Sequence, residues 1–386
     1  MIFDDVVRTY QGPADHGEPH RDILDRSARP EMQQARERVE TWFGQLCPAM
    51  QAGVRERLRS SDDQQLTAGF WELYLHELFT RLGYQIECAS AVGNGRNIDF
   101  LLRRGPSAFY LEATIARKSV AERAADARRN RIYRALNRLQ TDFTLGVTIE
   151  SAGPADMRNV RTLRQRLQDW LAALDPDEAQ RHWDRLGDGP MFRWDGAFGW
   201  SLAFEAFPPR PEYQRQPAMR PLGMFMDETG GQIDDEGPLR RALNRKAPSR
   251  YGDLELPYVV AIAEEPFSSH DEEWHRTNVL FGQEAFLYGG GQPTRYVRIP
   301  NGVWRGPGPA PRHRRLAAVL FTSDLAPWTI DRTELEWWDN PFANQPVPED
   351  VVPDVVHRCQ VRFDDDGAGN LSRVPAPRTP GAVLTE

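Results

Sequence analysis

Three acidic residues stand where burial makes a charge costly. Glu72 sits in FWELYLHELF, a run that is apolar on nearly every side. Asp99 opens the apolar stretch DFLL, and Glu112 interrupts FYLEATI. A carboxylate among apolar side chains must be paired, hydrogen-bonded or bound to a metal. His76, one turn beyond Glu72 on the same helical face, is a partner within reach. NIDFLLRRGPSAFYLEATI reads as two short strands around an Arg-Arg-Gly-Pro turn. Pairing of those strands makes Asp99 and Glu112 cross-strand neighbours, and directly opposed like charges repel. A divalent cation removes that penalty; Mg2+, with Mn2+ as its substitute, favours a few carboxylates plus water. Such a cation lowers the pKa of a bound water and stabilises charge on a phosphorane-like transition state.

The elements that must position these acids are legible in outline. Ser60-Ser61-Asp62 is a helix start signal and Gly83 a helix stop, which predicts a largely buried helix across Glu72. YQIECASAV (84–92) and the two hairpin strands follow. Alternation puts Glu112 and Thr114 on one face of their strand, and Leu111 and Ala113 on the other. A long helix is expected over about 120–142, then a β-branched strand TLGVTIES (144–151) and an amphipathic helix over 159–174. LPYVVAIAEE (256–265) and RRLAAVLFTS (314–323) read as buried strands that extend the same sheet. Strands alternating with helices predict an α/β fold, a mixed sheet flanked by helices.

The order helix-Glu, strand-Asp, strand-Glu resembles the PD-(D/E)xK nuclease superfamily, which has the restriction-endonuclease-like fold. The residues that carry the resemblance are Glu72 in FWELYLHELF, Asp99 in NIDFLL and Glu112 in YLEAT, and it covers about residues 62–151. It implies an αβββαβ core completed by the helix after the hairpin and by TLGVTIES, with N-terminal helices and a C-terminal α+β elaboration. It also implies a Mg2+-dependent nuclease in which Asp99 and Glu112 are metal ligands, and Glu72 is a ligand or orients water. The chain departs from the family at two points. Ile98 stands where the family has proline, and Thr114 where it has the lysine that positions the attacking water. Thr114 can hydrogen-bond a water but brings no charge. Lys118 lies four residues on, about 13 Å along an extended strand, beyond reach of that water. Lys246 could reach it only by a fold-back that spacing does not dictate.

Basic residues are almost all arginine, with lysine only at 118 and 246. The expected helix after the hairpin concentrates them. Lys118, Arg128, Arg131, Arg134 and Arg138 are its candidate phosphate contacts, with Arg131, Arg134 and Arg138 on one face at helical spacing. A solvated face paired with acids is the ordinary alternative. The net charge of −8 means that any nucleic-acid binding, DNA before RNA, must come from such a local patch. Three widely spaced cysteines suggest neither a disulfide framework nor a zinc ribbon. No signal peptide or spanning segment is visible, so the expectation is a cytoplasmic protein without a membrane partner. The division expected is a helical lead-in over 1–60, the core over 61–175, an elaboration over 176–334, and a Pro- and Asp-rich segment with a loose tail over 335–386. HDEEWH (270–275) and GGGQ (289–292) match no metal or phosphate template, and Trp337-Trp338 reads as packing. A non-cleaving nucleic-acid sensor and a structural subunit with arginine-paired acids are the alternatives to a nuclease.

Overall fold

A computed structural model of the chain describes all residues except 93, 197–198, 209–219, 228–235, 265–271, 290–291, 306–309, 364–368 and 386; the side chains of 224–227, 286–289, 292–296 and 369 are also outside the description. The chain forms two compact units. One comprises Met1–Tyr10, Pro19–Arg117 and Asp234–Glu386; the other comprises Gln11–Glu18 and Lys118–Ile233.

In chain order the first unit opens with α1 (His20–Arg26), α2 (Pro30–Gln45), α3 (Pro48–Leu58) and α4 (Asp63–Arg81), then β1 (Gln85–Ala91), β2 (Asn97–Arg104) and β3 (Ser107–Ile115). The second unit holds α5 (Val120–Leu136), β4 (Thr144–Ser151), α6 (Val160–Ala172), α7 (Pro176–Leu186), β5 (Met191–Asp195), β6 (Ser201–Phe207) and β7 (Leu222–Asp227). The first unit resumes with α8 (Glu236–Arg245), β8 (Tyr258–Glu264), α9 (Glu272–Phe281), β9 (Glu284–Gly289), β10 (Gln292–Arg298) and β11 (Leu316–Ser323). It ends with β12 (Glu336–Asp339), β13 (His357–Phe363), β14 (Gly369–Val374) and α10 (Pro380–Thr385).

The first unit is built on an eight-stranded mixed sheet, in the order β1-β2-β3-β8-β11-β12-β13-β14. β1, β2 and β3 are antiparallel neighbours, whereas β3, β8 and β11 run parallel. Alternation feeds two cores. Phe109, Leu111, Ala113, Val259 and Ala261 pack on one face with side chains of α2, α3 and α4. Tyr258, Val260 and Ile262 pack on the other with Leu239 and Leu243 of α8 and Val279 and Leu280 of α9. Trp337 joins the first core and Trp338 the second, as packing residues on opposite faces of one strand.

Helix α4 follows its sequence signals. The Asp62 side chain accepts from Gln64 N–H at the N-cap, and Gly83 adopts a left-handed φ of 80° just beyond the end. Trp71 Nε1 donates to the carbonyl of Ala261 at 3.1 Å, which ties α4 to β8.

Several expectations are corrected. TLGVTIES does not sit beside the hairpin. It is β4, central in a separate four-stranded sheet of the second unit, ordered β5-β6-β4-β7. The strand parallel to β3 is β8. The pattern explains the exchange: every residue of β8 is buried, as a parallel strand covered on both faces requires, whereas β4 leaves Thr144, Thr148 and Glu150 half-buried. The helix after the hairpin ends at Leu136, not near 142, and is capped by Ser119, whose side chain accepts from Glu122 N–H. Residues 1–29 are more than a lead-in: Ile2 and Phe3 are buried and α1 forms. The Pro- and Asp-rich segment from 335 supplies β12, β13 and β14, and its last 15 or so residues are not a loose tail, since α10 forms there with Val383 and Leu384 in the core. GGGQ joins the paired strands β9 and β10, though 290–291 lie outside the described residues, as does His270. Among the described residues no helix is long and apolar enough to cross a membrane.

A buried ion cluster braces the distal part of the sheet. Arg276 on α9 donates to Glu264 at 3.0 Å, to Glu336 at 2.8 Å and to Glu272 at 2.9 Å. Burial pushes the Glu264 carboxyl up to about 7 despite the guanidinium beside it. Removing one partner of a buried pair leaves uncompensated charge. Arg276→Met is therefore expected to lose about 3–5 kcal/mol at neutral pH, partly recovered as the acids protonate. Urea denaturation at pH 7.5 and pH 5.5 checks this; an unchanged midpoint at pH 7.5 would contradict the role assigned to Arg276.

Candidate active site

The hairpin forms with the register that alternation implies. Phe100 pairs with Leu111, so Asp99 and Glu112 stand next in line. The regular ladder stops there. Phe100 and Leu102 enter the α4-side core, but Ile98 enters the opposite one, so strict alternation breaks at Asp99. Ala89, across from Asp99 between the Cys88–Phe100 and Ser90–Ile98 pairs, has a left-handed φ of 52°. Such a conformation costs a residue with a Cβ and marks local distortion.

The freed polar groups at this break are used by the acids themselves. Glu112 Oε2 accepts from the backbone N–H of Asp99 at 3.1 Å, and Asp99 Oδ2 accepts from the backbone N–H of Ala113 at 2.8 Å. Glu72 comes from α4. Burial pushes its carboxyl up to about 7, and the charges of Asp99 and Glu112 add to the rise against the pull of Arg57 and Lys246. Burial and the charge of Glu112 push Asp99 up to about 6, against Lys246 and the Ala113 hydrogen bond. The structure thus gathers Glu72, Asp99 and Glu112 into one electrostatic cluster.

Two cations answer it. Arg57 of α3 is hydrogen-bonded to Glu72. Lys246, just past the end of α8, is hydrogen-bonded to Glu112 Oε1, with its Nζ 4.0 Å from Asp99 Oδ2. Tyr251 OH donates to the same Glu112 oxygen at 2.8 Å, and Tyr258 OH donates to the Lys246 carbonyl at 2.9 Å. Lys246 therefore brings an ammonium to the acid that precedes Thr114, although it lies 134 residues from it in sequence. Thr114 itself, on the α8 side of β3, accepts from Arg245 Nη2 at 2.9 Å. His76 does not partner Glu72; its Nε2 lies 3.5 Å from Cys47 Sγ.

Sequence reasoning missed Arg57, Arg245 and Tyr251. Their only signal was the retention of a lysine one residue from Arg245 in a chain that otherwise uses arginine. Three carboxylates are ligand types that a hard divalent cation takes, although the group whose ligand atoms all lie within 4.8 Å of one another among the described residues is Cys47, His76 and Cys88. Glu72, Asp99 and Glu112 are the residues that could hold it.

The basic residues proposed for phosphate contact fall in the second unit, on or beside α5. Lys118 pairs with Asp126 at 3.2 Å and Arg131 with Asp156. Arg128 is half-buried; Arg134 and Arg138 are exposed, with no ion pair among the described residues. Part of the expected cationic face is thus already neutralised. Cys47 and Cys88 form a disulfide, contrary to the expectation of unpaired cysteines. Their separation of 41 residues hid the pairing, because α3, α4 and β1 meet only in the tertiary fold.

Comparison with protein-family models, with curated proteins and with solved structures gave no match to this chain.

The raised acids have a consequence for stability. With folded pKa values above those of the unfolded chain, the folded state holds protons that the unfolded state has released. Their contribution is present below the ordinary carboxylate range and is lost as pH rises, from 4.5 to about 7 for Glu72 and from 3.8 to about 6 for Asp99. Without divalent cations, Tm should fall across that window, and fall less steeply in Glu72→Gln. Equal slopes in the two proteins, measured by thermal denaturation, would remove Glu72 from the cluster's titration.

Proposed function

We propose that the first unit is a restriction-endonuclease-like core and that the protein is a metal-dependent nuclease hydrolysing phosphodiester bonds. The observation that carries this reading is Lys246 on Glu112: a lysine ammonium delivered to the acid cluster whose own strand has Thr114 in the lysine position. The element order supports it as well. With residues 118–233 set aside, α4, β1, β2, β3, α8 and β8 follow in the sequence αβββαβ. Residues 118–233 then read as an insertion between the third strand and the second helix of that core.

Glu72, Asp99 and Glu112 would hold Mg2+ or Mn2+. When bound, the cation supplies Lewis-acid polarisation of the phosphate and a more acidic water. Lys246 Nζ orients the attacking water and offsets negative charge growing on the phosphate oxygens. Tyr251 and Asp99 N–H fix the Glu112 carboxylate from opposite oxygens, which keeps it aligned towards Lys246. Thr114 is removed from the lysine's task, since its hydroxyl is engaged by Arg245. Of the five candidate phosphate contacts, Arg134 and Arg138 are the exposed ones without an ion pair among the described residues, with DNA the first substrate to try.

Arg57 on Glu72 favours a second reading, in which the acids are paired for good and the chain binds nucleic acid without cutting it. One assay separates the two. The purified chain is incubated with single- and double-stranded DNA and RNA with Mg2+ or Mn2+, beside Asp99→Ala, Glu112→Ala, Lys246→Met and Thr114→Ala. Cleavage is expected to vanish in the acid variants. It should fall by about 100-fold or more in Lys246→Met and by less than about 10-fold in Thr114→Ala. Cleavage that persists in Asp99→Ala and Glu112→Ala overturns the site; binding without cleavage under either metal supports the second reading.

The cationic face has its own test. Arg134→Ala with Arg138→Ala should weaken DNA binding at every sequence. The double change should also reduce the slope of log affinity against log salt by about 2, near one unit for each phosphate no longer neutralised. An unchanged slope in a salt titration removes these arginines from the interface.

A further inference from the structure

We infer that Cys47, His76 and Cys88 form a second metal site, which takes one Zn2+-class cation once the disulfide is reduced. Cys47 stands at the N-cap of α3, His76 lies within α4 and Cys88 lies on β1. Their candidate ligand atoms all fall within 4.8 Å of one another. A tetrahedral Zn2+ with bonds of about 2.0–2.3 Å places its sulfur and nitrogen ligands roughly 3.5–3.8 Å apart, so the group closes on an ion with small side-chain adjustments. Cys47 Sγ and His76 Nε2 already lie 3.5 Å apart.

The imidazole is the independent sign of a ligand. His76 is only 7% exposed. Its Nδ1 is buried without a hydrogen-bond partner among the described residues, and the neighbour of its Nε2 is a sulfur, which hydrogen-bonds weakly. A metal bond at Nε2 would replace that weak sulfur contact with a strong one. Two thiolates and an imidazole are the donor types that select zinc over magnesium, and the half-buried cysteines leave room for a water as fourth ligand.

The disulfide and the metal exclude each other. A dithiol reductant transfers two electrons and two protons to the Cys47–Cys88 bond and leaves as its own disulfide. The two thiols then lose their protons to solvent as Zn2+ binds. The disulfide ties α3, which carries Arg57, to β1 at the residue before Ala89, and the metal would tie both to α4, which carries Glu72. The reduced, metal-free chain lacks that tie. The inference stands apart from the nuclease reading, because it uses none of the three carboxylates.

The test uses the full chain, reduced with a dithiol that is then removed under anaerobic conditions, and titrated with Co2+ as the probe. The expected result is one Co2+ per chain with a sulfur-to-cobalt charge-transfer band, displaced by Zn2+. The oxidised wild type, whose fold needs no substitution, should give no such band. His76→Ala should bind Co2+ roughly tenfold or more weakly, with folding checked by circular dichroism, whereas Asp99→Ala should keep the band. A reduced wild type without the band, or an oxidised one that shows it, overturns the site.

Discussion

Burial raises the carboxyls of Glu72 and Asp99, the neighbouring acid charges add to the rise, and the first unit is arranged around that fact. Like charges so placed would drive apart the elements that carry them. The hairpin cannot yield, because Asp99 and Glu112 bond to each other's strand through backbone N–H groups. Helix α4 cannot yield either, since Trp71 bonds to β8 and Tyr74 and Phe70 are fully buried. The repulsion is met instead by cations brought in from α3 and from the end of α8. Lys246 has to arrive with its main chain fixed, and Tyr258 holds its carbonyl.

That requirement explains the path of the chain. A parallel neighbour for β3 needs a crossover, and a crossover helix ends near the strand it feeds. Here the crossover contains residues 118–233 of the second unit followed by α8. Once α8 is fixed as the element leading into β8, its last turn and the residues after it lie over the α8 face of β3. Glu112 and Thr114 are the residues of β3 that alternation turns to that face. Arg245 and Lys246 then reach Thr114 and Glu112 in turn.

Local signals carried the legible part. Asp62 and Gly83 bound α4, alternation sets the hairpin register, and continuous burial marks β8 and β11; each depends on neighbours within a few residues. The three acids were readable for the same reason, as charges out of place in apolar runs. What could not be read depends on distant pairing. Nothing in TLGVTIES says which sheet it joins, and its half-buried alternation was the only hint that it was not a central parallel strand. Arg57 and Lys246 look like any other surface cation until α3 and α8 are docked. Cys47, His76 and Cys88 carry no spacing signature, because three separate elements deliver them.

The first unit holds two buried acid-base clusters, and their difference bears on function. Around Arg276, Glu264 is fully enclosed and Glu336 nearly so, and the indole N–H of Trp338 bonds to Glu336 at 3.1 Å. Glu264 is pushed up to about 7, as Glu72 is, so a raised carboxyl alone does not mark a site of chemistry. Access does. The side chains of Asp99 and Lys246 retain 25% and 20% of their exposure, and Glu72 retains 14%. Solvent can reach those side chains, whereas it cannot reach Glu264. In the Arg276 cluster Glu272 keeps 33% of its side chain exposed, while Arg276, Glu264 and Glu336 are enclosed and hold α9 to the sheet. The cluster at Glu112 keeps two raised acids, a lysine and partly exposed side chains together, and that combination separates it from the enclosed pairing of Arg276 with Glu264 and Glu336.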